Sequence, residues 1–442
     1  MTICSKSLAC WALVALLGAA SGVFAQTANP PAKKSHRVPD AEAAELNALL
    51  ASAQAAMEKK NYAAAAQNYE QFLAKRPDDA NVHFQLGYAY TGLQRLGDAK
   101  REYEKAIALD PKMGAAYLNL GLTLLDSDPS GAIEPFKKAG ELLPDQTEPK
   151  YLLGVAYERS GKPGQAIEQY RAAAHLDAKN FEAHLALART LLREKQPGVA
   201  EPQFRAAVAL RPDSADAHLG LARCLLAEKQ KDAAADEIAG YLAVQPNDTQ
   251  ARIEHAGLLA ELRKNTEALA ELDRAALPDG EKLLALKIRA RVYFQMQRYD
   301  DAAAALLKAA ALAPQDADIP VQRGQVYLDK KDYPNAVREL IVAYKMNPGD
   351  NEVLGNLVAA EYLNKNYAAA LEGLDVLTKR ETLPLGALFI RATCYDKLGQ
   401  AAEALDAYQK FLAANKDEAS DMYFEATARA RFLSRELEEK KR

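Results

Sequence analysis

The stretch that decides the fold runs from Ala80 to Pro111 and reads ANVHFQLGYAYTGLQRLGDAKREYEKAIALDP. Small residues lie at Gly87 and Ala99, and a large aromatic residue lies at Tyr103. Two helices that cross closely need residues without bulk at the contact and a larger side chain opposite them. The spacing therefore predicts two helices that pack against each other across a short turn.

This pattern recurs along the chain with a period of 34 residues. With Ala80 taken as position 1 of a copy, position 8 is small in most copies and position 24 is large, from Tyr69 to Tyr408. Position 20 is alanine in eleven successive copies, at residues 65, 99, 132, 166, 200, 234, 268, 302, 336, 370 and 404. One step, from 99 to 132, is a residue shorter than the others. A ladder of this length predicts a stacked solenoid of helix pairs.

These offsets resemble the tetratricopeptide repeat (TPR), a 34-residue helix–turn–helix unit. The resemblance implies an all-α superhelical solenoid of about eleven units over residues 40–418. A capping helix and a polar tail are expected in residues 419–442, because the last repeat must cover its apolar face. Four side chains of the cap are predicted to lie on that face: Phe424, Ala428, Phe432 and Leu433. Three arginines are predicted to face water: Arg429, Arg431 and Arg435.

The first 25 residues have the features of a secretory signal peptide. Lys6 precedes an apolar run from Leu8 to Ala20, and Val23-Phe24-Ala25 is a small-x-small cleavage pattern. Cleavage is predicted after Ala25, which leaves residues 26–39 as a disordered linker rich in proline and lysine. An uncleaved membrane anchor is the alternative. A lipoprotein is less favoured, because Cys4 and Cys10 precede the apolar run instead of following it.

The charge balance limits the possible partners. Lysine and arginine total 56 residues against 60 aspartates and glutamates, which gives a formal net charge of −4. A nucleic-acid binder needs a concentrated basic footprint, so nucleic acid is not an expected partner. The short predicted signal peptide and the repeat style favour an exported bacterial protein of the periplasm or the secreted fraction, without a membrane span after cleavage.

The sequence contains no recognisable catalytic, cofactor or metal motif. His83, His184 and His218 share position 4 of their repeats, where the family has a bulky packing residue, so a packing role is favoured over a metal ladder. Cys224 and Cys394 lie in distant repeats and are not expected to form a disulfide. The prediction is a non-enzymatic protein without catalytic residues, cofactor or metal site.

The TPR resemblance also implies where a partner binds. In the family, positions 2, 5, 9 and 12 of the first helix line a concave groove. Here the groove positions in the second to fourth repeats are apolar: Phe84, Tyr88, Leu118, Leu122, Tyr151 and Val155. Later repeats supply basic residues: Arg189, Arg223, Lys287 and Arg291. Alternatively, Glu182 and Asp216 neutralise Arg189 and Arg223 within the array, and the leucines pack between repeats.

The leading hypothesis is a TPR scaffold or adaptor that holds a protein or peptide partner in this groove during envelope assembly or secretion. The aromatic residues would anchor apolar side chains, and the arginines would pair with acidic groups. The alternative hypothesis is an accessory protein that binds a glycan or cell-wall polymer, since aromatic stacking and positive charge also suit acidic sugars.

Overall fold

A computed structural model describes residues 40–275, 279–417 and 419–441. Within those ranges the chain forms 23 helices and no strand, which confirms the all-α prediction. The helices alternate as the first (helix A) and second (helix B) of eleven repeats, followed by one final helix. The predicted signal peptide and linker lie outside the described residues.

The chain divides into two compact parts, and the N-terminal part ends at Gln230. Its A helices are α1 (Asp40–Glu58), α3 (Ala80–Gly92), α5 (Gly114–Leu124), α7 (Thr147–Arg159), α9 (Phe181–Arg193) and α11 (Ala215–Ala227). Its B helices are α2 (Tyr62–Lys75), α4 (Leu96–Leu109), α6 (Pro129–Leu142), α8 (Pro163–Leu176) and α10 (Pro197–Leu210). Each helix packs against the next one along the chain.

The C-terminal part begins at Lys231 with the B helix of repeat 6, α12 (Lys231–Val244). Its A helices are α13 (Thr249–Glu261), α15 (Asp279–Gln295), α17 (Asp318–Asp329), α19 (Asn351–Leu363) and α21 (Leu385–Lys397). Its other B helices are α14 (Asn265–Arg274), α16 (Tyr299–Leu312), α18 (Tyr333–Met346), α20 (Tyr367–Thr378) and α22 (Ala401–Ala414). The last helix is α23 (Asp421–Lys441).

The contact between positions 8 and 24 holds the two helices of a repeat together. A Cβ atom built on Gly121 would lie 2.6 Å from the ring of Phe136, and one on Gly154 would lie 2.6 Å from the ring of Tyr170. The rings of both residues are buried. Helix A therefore lies so close to helix B that its backbone touches the large side chain, as the sequence pattern predicts.

The turn between helices A and B uses a left-handed residue at position 15. In repeat 2, Gln94 has a φ of 58°, and the hydrogen bonds Gln94 N to Thr91 O (3.0 Å) and Arg95 N to Tyr90 O (2.9 Å) close the helix. This is a Schellman motif, which usually has glycine at the left-handed position. Glycine occupies it only at Gly161 and Gly399, while lysine, glutamine or arginine occupies it in eight other repeats.

Repeat 3 lacks this residue, because it is the repeat with the shortened step. Its helix α5 ends at Leu124, and Asp128 caps α6 by accepting a hydrogen bond from the backbone N–H of Gly131 at 2.9 Å. The side chain of Arg159 in the next repeat binds the Asp126 carboxylate at 2.5 Å and so fixes the shortened turn.

The orientation predicted for the capping helix is partly wrong. Leu433 is 3% exposed and lies on the last repeat as predicted, but Phe424 is 77% exposed and Phe432 is 54% exposed. Ala428 is exposed as well. Ala426 lies at the contact instead, because a small residue lets α23 approach the buried rings of Tyr408 and Phe411 closely.

The predicted exposure of the three cap arginines holds for two of them. Arg431 and Arg435 are exposed. Arg429 instead binds the Asp396 carboxylate with both Nε (2.7 Å) and Nη2 (2.6 Å), and the guanidinium holds the pKa of Asp396 below its usual range. This bidentate pair fixes the rotation of α23 about its axis.

None of the helices in the described ranges combines the length and the apolar character that a bilayer crossing requires.

Ala200 tests the close contact between helices. It is completely buried on α10, so Ala200→Leu should lower the free energy of unfolding by about 1–3 kcal/mol because the added volume has no space. Ala209→Leu, on the exposed side of the same helix, is the matched control and should change stability by less than about 0.5 kcal/mol. Urea unfolding of both variants is the measurement; equal stabilities would contradict a close contact at position 20.

Candidate partner-binding surface

Helices A of successive repeats lie side by side in the N-terminal part, where α3 contacts α5 and α9 contacts α11. Positions 5 and 9 of these helices recur at helical spacing and belong to one face. We name the stripe surface by its eight residues: Phe84, Tyr88, Leu118, Leu122, Tyr151, Val155, Arg189 and Arg223. It begins with apolar side chains and ends with two arginines.

The apolar end of the stripe surface is continuous with the core. The Phe84 ring packs against Tyr103 with centroids 5.9 Å apart, and Tyr151 packs against Tyr170 at 5.7 Å. Phe84, Tyr88, Leu122, Tyr151 and Val155 are half-buried. Each of these residues therefore keeps part of its apolar surface available for a partner.

Leu118 differs from the other apolar residues of the stripe surface. It is only 8% exposed and belongs to the core cluster that contains Phe136. This placement agrees with the alternative that leucines pack within the array, so Leu118 contributes support for its neighbours more than contact area.

The two tyrosines of the stripe surface present neutral phenol groups. Burial raises the pKa of Tyr88 above its ordinary value, with a smaller contribution from neighbouring Tyr62. Burial also raises the pKa of Tyr151, and the nearby carboxylates of Glu182 and Glu158 raise it further. A protonated tyrosine at the edge of an apolar patch can donate a hydrogen bond to a bound backbone carbonyl.

The basic end of the stripe surface is only partly neutralised. Arg189 pairs with Asp216 across two neighbouring A helices, with Nη1 3.5 Å from Oδ2, and both side chains are largely exposed. Glu182 pairs with Arg211 at 2.8 Å, and the Arg211 guanidinium also stacks 3.7 Å above the Phe181 ring. The neutralisation alternative therefore holds for Arg189 alone.

Arg223 is exposed and forms no ion pair with any residue in the described part of the chain. An exposed arginine without an ion pair can bind an anionic group on a partner. An exposed charge of this kind contributes to partner selection and association rate more than to folding stability.

A polar network that sequence reasoning missed lies between the two ends. The Glu158 carboxylate accepts a hydrogen bond from Tyr170 Oη at 2.7 Å and pairs with Arg193 Nη2 at 2.5 Å. These residues join α7, α8 and α9, so the network fixes the position of Tyr151 relative to the arginines. Glu158 occupies position 12, which is one of the groove positions, and this position was the signal that could have revealed it.

Glu148 is a second missed residue, at position 2 of repeat 4. It is half-buried, and burial raises the pKa of its carboxyl group. The acidic residues at the same position in repeats 5 and 6, Glu182 and Asp216, were the available signal.

Lys287 and Arg291 belong to the C-terminal part. Lys287 Nζ lies 2.6 Å from the Asp316 carboxylate, and this ion pair holds the pKa of Asp316 below its usual range. Arg291 is exposed and has no ion pair within the described ranges. Lys287 therefore has a structural partner, whereas Arg291 resembles Arg223.

The position-4 histidines bind the loops that precede their helices. His83 Nδ1 lies 2.6 Å from the Glu102 carboxylate, and its Nε2 lies 2.8 Å from the carbonyl oxygen of Pro77. His184 makes the same two contacts with Gln203 (2.8 Å) and the carbonyl of Ala178 (3.2 Å). Lys150 and Arg252 use the same position to bind the carbonyl oxygens of Pro144 and Pro246. Each side chain therefore joins helix A to the loop before it.

His255 differs from these histidines, because its Nδ1 is buried without a hydrogen-bond partner. Among the residues that the structure describes, no group of three or more histidine, cysteine, aspartate or glutamate side chains is arranged to hold a metal ion. Cys224 and Cys394 are buried and free, and burial raises the pKa of both thiols.

Four family models, each described as tetratricopeptide repeat, match segments spread along the chain. They cover residues 56–120 and 191–262, 151–198 and 321–381, 386–417, and 288–316. The chain belongs to the tetratricopeptide repeat family. The eleven helix pairs of the structure agree with this assignment.

Curated relatives match this TPR protein over short segments. A lipoprotein NlpI homolog of Haemophilus influenzae is 41% identical over 64 residues, which are 14% of this chain and 20% of that protein. A CTR9 homolog of Arabidopsis thaliana is 36% identical over 76 residues, which are 17% of this chain and 7% of that protein. The chain thus spans a fifth or less of the length of each relative.

Solved structures similar to this chain include one that is described as a TPR protein. The TPR protein YrrB, described as having an unusual peptide-binding site, is 22% identical, with 42% of this chain and 97% of that chain covered at a TM-score of 0.39. A structure of MamA is 20% identical, with 38% and 92% covered at 0.37. Yeast Tom70 is 13% identical, with 90% and 97% covered at 0.33.

The buried His255 predicts a specific pH dependence of stability. It is 6% exposed, and burial lowers the pKa of its imidazole below the ordinary value of about 6.5. Below that pH the unfolded chain binds a proton that the folded chain resists, so His255 should reduce stability as the pH falls from about 7 to 5. His255→Leu, which places at position 7 the residue found in repeats 2–6, should reduce this loss. Thermal unfolding at both pH values is the measurement.

His175→Leu, an exposed histidine on α8, is the control and should leave the pH dependence as it is. If His255→Leu and the parent chain lost the same stability on acidification, the buried neutral imidazole would be excluded as the cause.

Proposed function

We propose that this TPR protein is a scaffold without catalytic activity of its own, and that it holds a peptide or protein partner on the stripe surface. One observation supports this most strongly: five half-buried apolar side chains lead along adjacent A helices to two exposed arginines, one of which has no ion pair among the described residues. An apolar patch with a charged end is the arrangement that selects a peptide with apolar anchors and an acidic group.

The tyrosines define how the chain of such a partner would be held. Tyr88 and Tyr151 are half-buried and carry neutral hydroxyl groups, and the Tyr151 ring packs against the buried ring of Tyr170. Aromatic side chains of this kind supply large contact area and lose little conformational entropy on binding. The partner would place apolar side chains between them and direct a carboxylate toward Arg189 and Arg223.

We further propose that the protein is exported and works in the bacterial envelope, in assembly or secretion. The signal-like N-terminal sequence supports export, and the matched segment of a lipoprotein homolog agrees with an envelope location. A photo-crosslinking amino acid in place of Tyr88, used in living cells, tests both points together. The same mass spectrum identifies the captured neighbour and shows whether the chain begins at Gln26.

The arginines provide the decisive variants. Arg189→Glu combined with Arg223→Glu should weaken binding of the captured partner at least about tenfold, because two favourable charge interactions become repulsive. Helicity and melting temperature should stay nearly unchanged, since both arginines are exposed. The measurement is a binding isotherm with the purified partner.

The matched control is Arg171→Glu combined with Arg338→Glu. Both are exposed arginines on B helices, neither has an ion pair in the part of the chain that the structure describes, and the variant should retain full affinity. Equal weakening by both double variants would indicate non-specific charge effects and contradict the proposed site. A crosslinker at Tyr88 that captures no protein, together with saturable binding of an acidic polysaccharide, would favour the glycan alternative.

A further inference from the structure

The outer face of α23 carries the most exposed aromatic side chains of the described chain. Phe424 is 77% exposed, the highest fraction of any large apolar side chain described, and Phe432 is 54% exposed. The guanidinium carbon of Arg429 lies 4.9 Å from the centre of the Phe432 ring, and Arg429 is itself anchored to Asp396. The face is therefore held in one orientation although nothing within the described part of the chain covers it.

The sequence of this face is symmetric about Ala428. Reading along the helix, the exposed residues Asp421, Phe424, Ala428, Phe432 and Arg435 follow one another at steps of three, four, four and three. Steps of three and four keep residues on one face of a helix. A phenylalanine lies four residues to each side of the alanine, and opposite charges lie at the two ends.

Such a face is complementary to itself when two copies run antiparallel. With the two Ala428 residues opposite each other, Phe424 lies at the height of Phe432 of the second copy. Asp421 then lies at the height of Arg435 of the second copy. The small Ala428 at the centre allows the helices to approach closely, and neither charged residue has an ion pair within the described residues.

We propose that α23 is a self-association surface through which two copies of this chain form a symmetric dimer with antiparallel α23 helices. The interface is isologous, the commonest arrangement for soluble homo-oligomers. It buries four phenylalanine side chains and pairs two aspartates with two arginines. Because a single helix pair is a small interface, the dissociation constant should be on the order of micromolar.

The dimer adds to the proposed scaffold function but does not depend on it. Two copies joined at their last helices would present two stripe surfaces. A partner with two binding segments would then bind more tightly than a partner with one segment. The stripe surface lies on repeats 2–6, and substitutions in α23 change none of its residues. The two proposals can therefore fail separately.

Sedimentation equilibrium of the protein, purified as it is recovered from the expressing cell, tests the proposal. Between roughly 1 and 200 µM the weight-average mass should rise toward twice the chain mass. Phe424→Ser should raise the dissociation constant at least about tenfold, because it removes two buried rings from the interface. Glu403→Arg is the control and should leave the mass curve unchanged, because Glu403 is exposed on α22 and has no ion pair within the described ranges.

Charge exchange tests the antiparallel register. Arg435→Glu and Asp421→Arg should each weaken the dimer, since each places like charges opposite each other across the interface. The double variant should restore association, because the pair is re-formed with reversed signs. Circular dichroism of each variant checks that α23 remains helical.

Disulfide capture gives a second measurement that does not depend on affinity. Ala428→Cys should form an intermolecular disulfide on mild oxidation, because the register places the two residues within bridging distance. Ala402→Cys, exposed on α22, should not, and the buried Cys224 and Cys394 should take no part. The proposal would be overturned if the protein stayed monomeric across the whole concentration range. It would also be overturned if the double charge variant associated no more tightly than the single variants.

Discussion

The other features of the structure depend on one contact. In this contact a small residue of helix A lies directly under a large side chain of helix B. At Gly87, Gly121 and Gly154 there is no space for even a Cβ atom between helix A and the ring at position 24 of helix B. This contact sets the distance and angle between the two helices of a repeat. A small residue recurs at position 8 of most repeats, so in the N-terminal part the A helices are brought side by side and a stripe of residues becomes a surface.

The same contact couples the core to the candidate binding surface. The rings of Tyr103 and Tyr170 fill the space beside the small position-8 residue and also support Phe84 and Tyr151. Ion pairs such as Arg193 with Glu158 then tie neighbouring A helices together at their polar edge. A ligand-contacting side chain that the core rings and these ion pairs hold in place loses little conformational entropy on binding, which favours affinity.

The sequence predicts the fold well because the ladder at positions 8, 20 and 24 leaves few alternatives to stacked helix pairs. Side-chain partners are harder to predict, since they depend on rotation about helix axes. The pairing of Glu182 with Arg211, instead of with Arg189 or Arg223, is one example. The exposed Phe424 and Phe432 are another, because hydrophobicity favours burying phenylalanine, whereas Ala426 and Leu433 occupy the contact with the last repeat.

The left-handed turns show a further limit of sequence reasoning. Glycine signals such a turn, but most repeats use a long polar residue such as Gln94 or Lys229, which carries no obvious signal. The hydrogen bonds that close helix A offset the cost of the left-handed conformation, about 1–2 kcal/mol for a residue with a side chain. Only comparison of all repeats at position 15 reveals the pattern.

A double-mutant cycle at Gly121 and Phe136 tests the central contact most directly. Gly121→Ala alone should lower the free energy of unfolding by about 1–3 kcal/mol, because the new methyl group meets the Phe136 ring. Adding Phe136→Leu should recover at least about 1 kcal/mol of the summed loss, since alanine and leucine form the same pair in repeat 7, at Ala256 and Leu272. Losses that add to within about 0.5 kcal/mol would show that the two residues act independently and would contradict the account.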